Sequence, residues 1–158
     1  MAADGFEAFW SRERDRIYRA LALSLTDHQL AAEAVDEAMT RALERWSKIG
    51  TYQNPAAWVY RVGFNWATSR RRYLAIRPLR RDHEIDRPEC DPLPDVDLAA
   101  QLAQLRRDHR AAVVLRHFLQ FSPTEIGAIL EVPVGTAKSY IHRGLAELRE
   151  LEQERTDG

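Results

Sequence analysis

The sequence has few of the features that mark secreted or membrane proteins. Its 158 residues include one cysteine, Cys90, so an internal disulfide is excluded and a reducing cytoplasm is the expected compartment. No hydrophobic run approaches the ~20 apolar residues that a membrane-spanning helix needs. The first residues, MAADGFEAFWSRERDR, are too charged for a signal peptide. We therefore expect a cytoplasmic protein without membrane insertion, and no role is predicted for Cys90.

Glycine is also scarce, with 7 residues, and no stretch sustains the alternation of apolar and polar residues that predicts a strand. The predicted fold class is therefore all-α. The five histidines are scattered, and we find no metal-ligand spacing, glycine-rich phosphate loop or nucleophile motif. The sequence predicts no catalytic residue, no metal and no cofactor, which argues against an enzyme.

The net charge of −1 conceals an uneven distribution. Residues 1–81 carry 14 Lys and Arg against 9 Asp and Glu, residues 82–97 carry 1 against 7, and residues 98–158 carry 8 of each. Four of the seven prolines lie between positions 78 and 94. This pattern predicts two small helical domains, 1–81 and 98–158, joined by an acidic, proline-containing linker at 82–97.

Three helices are predicted in the first half. The first runs from about Phe6 to Ser24, the second from a cap at Asp27 to Trp46, and the third from Asn54-Pro55 to about Leu74. The intervening SKIGTYQN is predicted to be a loop. Helical periodicity returns near Val96, in LAAQLAQL and then in DHRAAVVLRHFLQ.

The stretch FSPTEIGAILEVPVGTAKSYIHRGLAELREL predicts a short capped helix, a tight turn at Glu131-Val132-Pro133 and a long helix. Ser122 and Glu125 have the spacing of a capping box, and Pro123 suits the first helical position. The long helix has a predicted core stripe at Ala137, Ile141, Gly144, Leu148 and Leu151. The residues outside this stripe are Thr136, Lys138, Ser139, His142 and Arg143.

Two helices joined by a tight turn, the second with an exposed basic and polar face, have helix-turn-helix geometry. Lys and Arg can bond guanine edges or phosphates, and Ser and Thr can bond either. The alternative is a helical hairpin whose outer face is only solvated. The pattern favours DNA binding over this alternative.

The third predicted helix has two faces. Its inward face is expected at Val59, Val62, Gly63 and Trp66, and its outward row at Trp58, Arg61, Asn65 and Arg72. The run Arg70-Arg71-Arg72 follows. Arginines interleaved with aromatic rings suit a nucleic-acid strand, because the charge holds phosphate and the rings stack on unpaired bases. Core tryptophans beside a solvated arginine face remain an equal alternative.

The second predicted helix is acidic on one side, at Glu33, Asp36, Glu37 and Glu44. Ala31, Val35, Ala38, Ala42 and Trp46 are available for its core side. Carboxylates repel phosphate, so a ligand of the acidic side would be a basic protein surface rather than DNA. Taken alone, however, this helix favours the alternative of a solvated face in which Glu37 pairs with Arg41, four residues on.

Together these segments resemble a known family. AAEAVDEAMTRAL, PAAWVYRVGFNWATSRRR and FSPTEIGAILEVPVGTAKSYIHRGLAELREL are similar to regions 2 and 4 of bacterial sigma-70-type factors, specifically the extracytoplasmic-function (ECF) group. The resemblance runs from about Phe6 to Leu151, in the expected order and with the expected linker. It implies an alternative sigma factor, a dissociable non-catalytic subunit that directs core RNA polymerase to promoters.

The resemblance implies roles for region 2 on the first domain. Glu33, Asp36 and Glu37 match the segment that contacts core polymerase, whose clamp and flap, on the beta and beta-prime subunits, are the implied partners. The single-stranded −10 element would be opened and held by residues of the loop and the third helix. These are Lys48, Tyr52, Asn54, Trp58, Arg61, Asn65 and Arg72.

Region 4 of the family reads the −35 element as duplex DNA. By resemblance, Lys138, Ser139, His142 and Arg143 occupy the major-groove positions and Thr136 is placed for phosphate. The acidic linker would thread the basic RNA-exit path of the polymerase. The family often has an anti-sigma factor, which is an implied partner here, although no segment marks its footprint.

Three departures from the family pattern affect the site assignments. Asp36 stands where Gln is usual, Ser69 stands where Asp is common, and LRRDHR, from Leu105 to Arg110, replaces a segment with prolines and glutamine. The core contact and the promoter sequence therefore cannot be carried over from a consensus. Two rival functions are a stand-alone helix-turn-helix regulator and a sigma-like adaptor that binds only protein.

Overall fold

The computed structural model describes residues 2–76 and 96–158, and these form helices and connecting turns without a strand. The chain divides into two units, Met1–Pro92 and Leu93–Gly158. The predicted linker lies outside the described residues, except for its last two positions, and so does Cys90. The helices are α1 (Ala2–Leu25), α2 (His28–Glu44), α3 (Trp46–Ile49), α4 (Pro55–Ile76), α5 (Val96–Ala103), α6 (Arg107–His117), α7 (Pro123–Leu130) and α8 (Val134–Asp157).

The first unit is built on α1, α2 and α4, each of which packs against the other two. Its fully buried side chains include Ile17, Leu21, Val35, Val59 and Tyr60. The buried Tyr60 hydroxyl donates to Ser24 Oγ at 2.8 Å, so this ring enters the core with its polar end satisfied. An apolar core from three helices thus fixes the outer faces of α2 and α4.

Local sequence explains where these helices begin. The Asp27 carboxylate accepts from the backbone N–H groups of Gln29 and Leu30, at 3.1 and 3.0 Å, as its predicted capping role requires. Asn54 Oδ1 accepts from Ala57 N at 3.2 Å, and Pro55 is the first residue of α4, also as predicted.

The segment after α2 differs from the prediction. Helix α2 ends at Glu44 rather than at Trp46, and the stretch predicted as a loop begins with the single turn of α3. The sequence spacing predicts that Trp46 lies at the end of the core-facing side of α2. Its ring instead packs on α1, because the chain turns at Arg45 before the stripe would reach that position.

The second unit packs α6, α7 and α5 against α8. Its buried side chains include Leu115, Leu119, Ile126 and Ala137. Helices α6 and α8 approach closely at Gly144, where a Cβ would lie 2.4 Å from Val113 Cγ2 and 3.0 Å from the His109 carbonyl oxygen. Glycine is required there because no side chain fits between the helices.

The segment LRRDHR, which departs from the family pattern, has a structural role. The Arg110 guanidinium donates to the Leu102 carbonyl at 2.9 Å and the Leu105 carbonyl at 3.0 Å, so it satisfies carbonyls at the end of α5. His109 is buried, and its Nδ1 lies 2.5 Å from Glu147 Oε1 of α8. This segment therefore ties α5, α6 and α8 together.

Candidate functional site

The turn between α7 and α8 has the geometry that the sequence predicted. Ser122 Oγ accepts from Glu125 N at 3.1 Å, and the Glu125 carboxylate accepts from Ser122 N at 3.0 Å, which completes the capping box. Helix α7 ends at Leu130, and the next residue, Glu131, has a φ of 59°, in the left-handed region. At Gly127 a Cβ would lie 2.8 Å from the Val132 carbonyl oxygen, so the turn closes only over glycine.

The start of α8 displays one polar and basic surface. Lys138, Ser139, His142 and Arg143, which we call the α8 row, are all exposed. Thr136 beside them is half-buried. Within the part of the chain that the structure describes, the α8 row makes no hydrogen bond or ion pair, so its donors are available to a ligand. Lys and Arg on one helical face suit an anionic partner.

The opposite side of α8 is buried less completely than its predicted core stripe implies. Ala137 and Gly144 are buried as expected. Ile141, Leu148 and Leu151 are half-buried. The packing nevertheless holds the α8 row outward.

Helix α4 carries a second candidate surface. Arg61, Asn65 and Arg72 are exposed and Trp58 is half-buried; together these four residues are called the α4 row. Their spacing of three, four and seven places them along one side of the helix. The surface offers two guanidinium groups, one amide and one ring, and this combination of charge and flat aromatic area suits unpaired bases.

The inward face of α4 was predicted only in part. Val59 and Gly63 are buried, whereas Val62 and Trp66 are half-buried. Trp66 does not reach the core. Its ring lies under the Arg70 guanidinium, with Cζ 5.5 Å from the ring centroid, on the side of α4 that faces α2.

The three consecutive arginines at the end of α4 have different environments. Arg70 covers Trp66 and pairs with Glu33, and Arg71 donates to the Leu25 carbonyl at the end of α1. Arg72 is exposed and belongs to the α4 row. Successive side chains on a helix point about 100° apart. The three consecutive arginines therefore point in different directions and have different surroundings.

The segment between α3 and α4 brings the predicted loop residues together. Lys48 and Tyr52 are exposed, and Tyr52 N donates to the Ile49 carbonyl at 3.0 Å. Asn54 is half-buried and its side chain caps α4. Two of these three side chains therefore present polar or aromatic groups to a ligand, while the third also fixes the start of α4.

An aromatic cluster anchors this segment, and sequence reasoning missed it. The centroid of the Trp46 ring lies 5.0 Å from that of the Phe9 ring in a tilted arrangement, and Trp46 meets Phe6 edge-on at 5.5 Å. A Cβ at Gly5 would lie 3.1 Å from Trp46 Nε1, and one at Gly50 would lie 2.9 Å from the Trp46 carbonyl oxygen. The sequence carried little signal of this cluster, because Gly5, Phe6 and Phe9 lie far from Trp46 along the chain.

The acidic side of α2 is paired with arginines of its own unit. Asp36 lies 3.3 Å from the Arg14 guanidinium of α1, and Glu33 lies 3.6 Å from Arg70 of α4. Glu37 pairs with Arg41 at 3.1 Å, as the solvated-face alternative predicted. Such exposed ion pairs are weak, about 0–1 kcal/mol each, so the carboxylates remain accessible to a basic partner.

Other kinds of site find no support in the described residues. Residues 2–76 and 96–158 contain no group of three or more His, Cys, Asp and Glu placed to hold a metal ion. Among the helices that the structure describes, none has the length and hydropathy of a membrane span.

Comparisons with known proteins identify the family of the chain. A family model described as Sigma-70, region 4 matches residues 95–148. The chain is 32% identical over 149 residues to the RNA polymerase sigma-E factor of Streptomyces avermitilis, covering 92% of this chain and 83% of that protein. It is 31% identical over 143 residues to the ECF RNA polymerase sigma factor SigL of Mycobacterium tuberculosis, covering 84% of this chain and 81% of that one.

A solved structure has a similar fold. The sigma factor RpoE of Bartonella quintana, crystallised in complex with the anti-sigma factor NepR, superposes with a TM-score of 0.78. The match covers 94% of this chain and 96% of that chain at 21% identity. At this level of identity the likeness establishes the all-helical fold.

Proposed function

The chain belongs to the ECF group of RNA polymerase sigma factors, and from this premise we propose how its surfaces divide the work of promoter recognition. As an alternative sigma factor it binds RNA polymerase and promoter DNA and directs the polymerase to a class of promoters. Sigma factors are specificity subunits without catalysis of their own. We assign no catalytic residue to this chain, and any chemistry belongs to the polymerase.

The −35 element is assigned to residues 98–158. The observation that carries this proposal is the exposed α8 row, held outward behind a capped helix and a left-handed turn. An α-helix fits the major groove of duplex DNA, where Lys138 and Arg143 can bond guanine or phosphate. Ser139 and His142 add hydrogen-bonding groups beside them, and Thr136 is assigned to phosphate.

The −10 element is assigned to residues 1–81, as a single strand. The α4 row and Lys48, Tyr52 and Asn54 lie on consecutive segments of this unit. Unpaired bases stack on aromatic rings while cations follow the backbone, which is the combination that these two segments offer. Capture of a base by the loop requires Tyr52 to be exposed, as it is.

The polymerase contact is assigned to Glu33, Asp36 and Glu37. Their carboxylates favour a basic protein surface, and the polymerase clamp is the proposed partner, with the flap as a second contact. The acidic linker at 82–97 would follow the RNA-exit path, where its 7 carboxylates against 1 arginine suit a basic channel. These partners place the protein in the cytoplasm, on the nucleoid when it is bound to polymerase.

An anti-sigma factor is a further proposed partner. The RpoE structure contains one, and the present chain shares that fold. Such a protein would restrain the sigma factor by covering surfaces needed for polymerase or DNA.

Run-off transcription tests the assignment. Purified core polymerase is incubated with a genomic promoter library, with and without the full chain, and the new transcripts are sequenced. We expect specific transcripts whose upstream sequences share −35 and −10 elements. Core binding without transcripts would indicate a sigma-like adaptor. DNA binding without any affinity for core would instead support a stand-alone regulator.

A further inference from the structure

A surface groove between α2 and α4 combines carboxylates with an aromatic ring. It has a volume of about 410 Å³ and is lined by Glu33, Asp36, Glu37, Thr40, Trp66 and Arg70, a set that we call the acidic groove. The α2 residues recur at spacings of three and four, so they form one helical face. A flat ring next to carboxylates is the chemistry that recognises a guanidinium or ammonium group.

The acidic groove already holds such a group from its own chain. The Arg70 guanidinium lies over the Trp66 ring at 5.5 Å, and its Nε lies 3.6 Å from Glu33 Oε2. These are the two interactions that an incoming basic side chain would make. Arg70 therefore occupies the groove as a partner's arginine or lysine would.

The interactions of Arg70 in the groove are weak enough for a basic side chain of a partner to replace it. The side chains of Arg70 and Glu33 are each 44% exposed, so water screens their attraction. A separation of 3.6 Å is also longer than a direct charge-assisted hydrogen bond, which leaves room for a closer partner.

We propose that Arg70 is an intramolecular competitor for the basic side chain of core polymerase that enters the acidic groove. This inference rests on the proposed polymerase contact and adds two residues to it. Trp66 supplies the aromatic wall of the contact, and Arg70 must leave before the partner's cation can stack there. Arg70 thus lowers the affinity for polymerase, although it is a basic residue beside nucleic-acid-binding arginines.

The test is the affinity of the full chain for core polymerase, measured with Arg70→Gln, Trp66→Ala, Glu33→Gln and the parent chain. Arg70→Gln should tighten binding by about three- to thirtyfold, because it removes one exposed ion pair and one cation–π contact that the partner must otherwise displace. Trp66→Ala and Glu33→Gln should weaken binding. In a Glu33→Gln background, Arg70→Gln should have a smaller effect, since the shared carboxylate is gone.

Arg12→Gln is the matched control. Arg12 is a 67% exposed arginine of α1 that does not line the groove, so its loss changes net charge equally without opening the site. Unchanged or weaker binding by Arg70→Gln overturns the competitor role even when the parent chain binds core and supports transcription. A parent chain that does not bind core overturns the proposed function itself. If Arg12→Gln and Arg70→Gln both tightened binding to core polymerase equally, the cause would be the change in net charge, and the competitor role of Arg70 would be rejected.

Discussion

The two units present nucleic-acid surfaces of different composition. In the first, the α4 row contains a tryptophan, and the neighbouring loop adds an exposed tyrosine, Tyr52. In the second, the α8 row contains no Phe, Tyr or Trp, and it lies at the start of the second helix of a helix-turn-helix. Aromatic side chains can stack on unpaired bases, whereas a helix with polar and basic side chains can enter the major groove of duplex DNA. The difference supports division of the −10 and −35 elements between the units.

The largest effects are expected from substitutions that weaken binding to one promoter element and leave binding to the other unchanged. In the holoenzyme, Lys138→Ala and Arg143→Ala should each weaken binding to duplex carrying the −35 element by about 1–3 kcal/mol, or about 5- to 150-fold. Trp58→Ala and Arg61→Ala should spare that duplex and weaken binding to a single-stranded −10 oligonucleotide by a similar amount, about 1–3 kcal/mol per stacked base. Fluorescence anisotropy on both ligands measures this.

Arg149→Ala is the control for the α8 variants. It removes an exposed arginine from the same helix outside the α8 row, so both affinities should stay near those of the parent. Equal losses on both ligands for every variant would contradict a division of labour between the units.

The two units also differ in how closely their helices cross at a glycine. At Gly144 an added methyl would meet Val113 and the His109 carbonyl, whereas at Gly63 it would meet the flexible end of Leu21 at 3.1 Å and the Ala34 carbonyl at 3.3 Å. Gly144→Ala should therefore destabilise the second unit by about 1–3 kcal/mol, as overpacking does. Gly63→Ala should change the stability of the first unit by less than about 1 kcal/mol.

Hydrogen exchange of the full chain can follow each unit separately. Gly135→Ala is the control for Gly144→Ala, because nothing lies within 4 Å of its added methyl and alanine is the better helix former. It should leave the second unit unchanged or slightly more stable. Destabilisation by Gly135→Ala equal to that by Gly144→Ala would mean that the α6–α8 contact is not the cause.

The smallest effects are expected from loss of a helix cap, and they should be equal in the two units. Ser122→Ala removes the oxygen that caps α7, and Asp27→Ala removes the one that caps α2. Each should lower the free energy of unfolding of its unit by about 1 kcal/mol, because a cap acts on its own helix whatever the core behind it. Denaturant titration measures this change. A cap loss several times larger in one unit would show that the cap also supports tertiary contacts there.

The residues of these local features could be predicted because their partners lie within three or four positions. Asp27, Asn54 and the Ser122–Glu125 box each bond a nearby backbone group. The outward directions of the α4 and α8 rows also follow from helical spacing, since burial of one face exposes the other. The family resemblance came from these same segments.

Contacts across the chain could not be predicted in this way. Arg70 meets Glu33 across 37 positions, His109 meets Glu147 across 38, and Trp46 reaches Phe6 because the chain turns at Arg45, where the sequence predicts a continuous helix. Helical periodicity says which side of a helix a residue occupies but not which neighbour lies there. The sequence by itself thus determined the long helices, the caps at Asp27, Asn54 and Ser122, and the two polar rows. Only the tertiary structure decided that Trp66 lines a groove and that Arg70 occupies it, because both depend on how closely α2 and α4 pack.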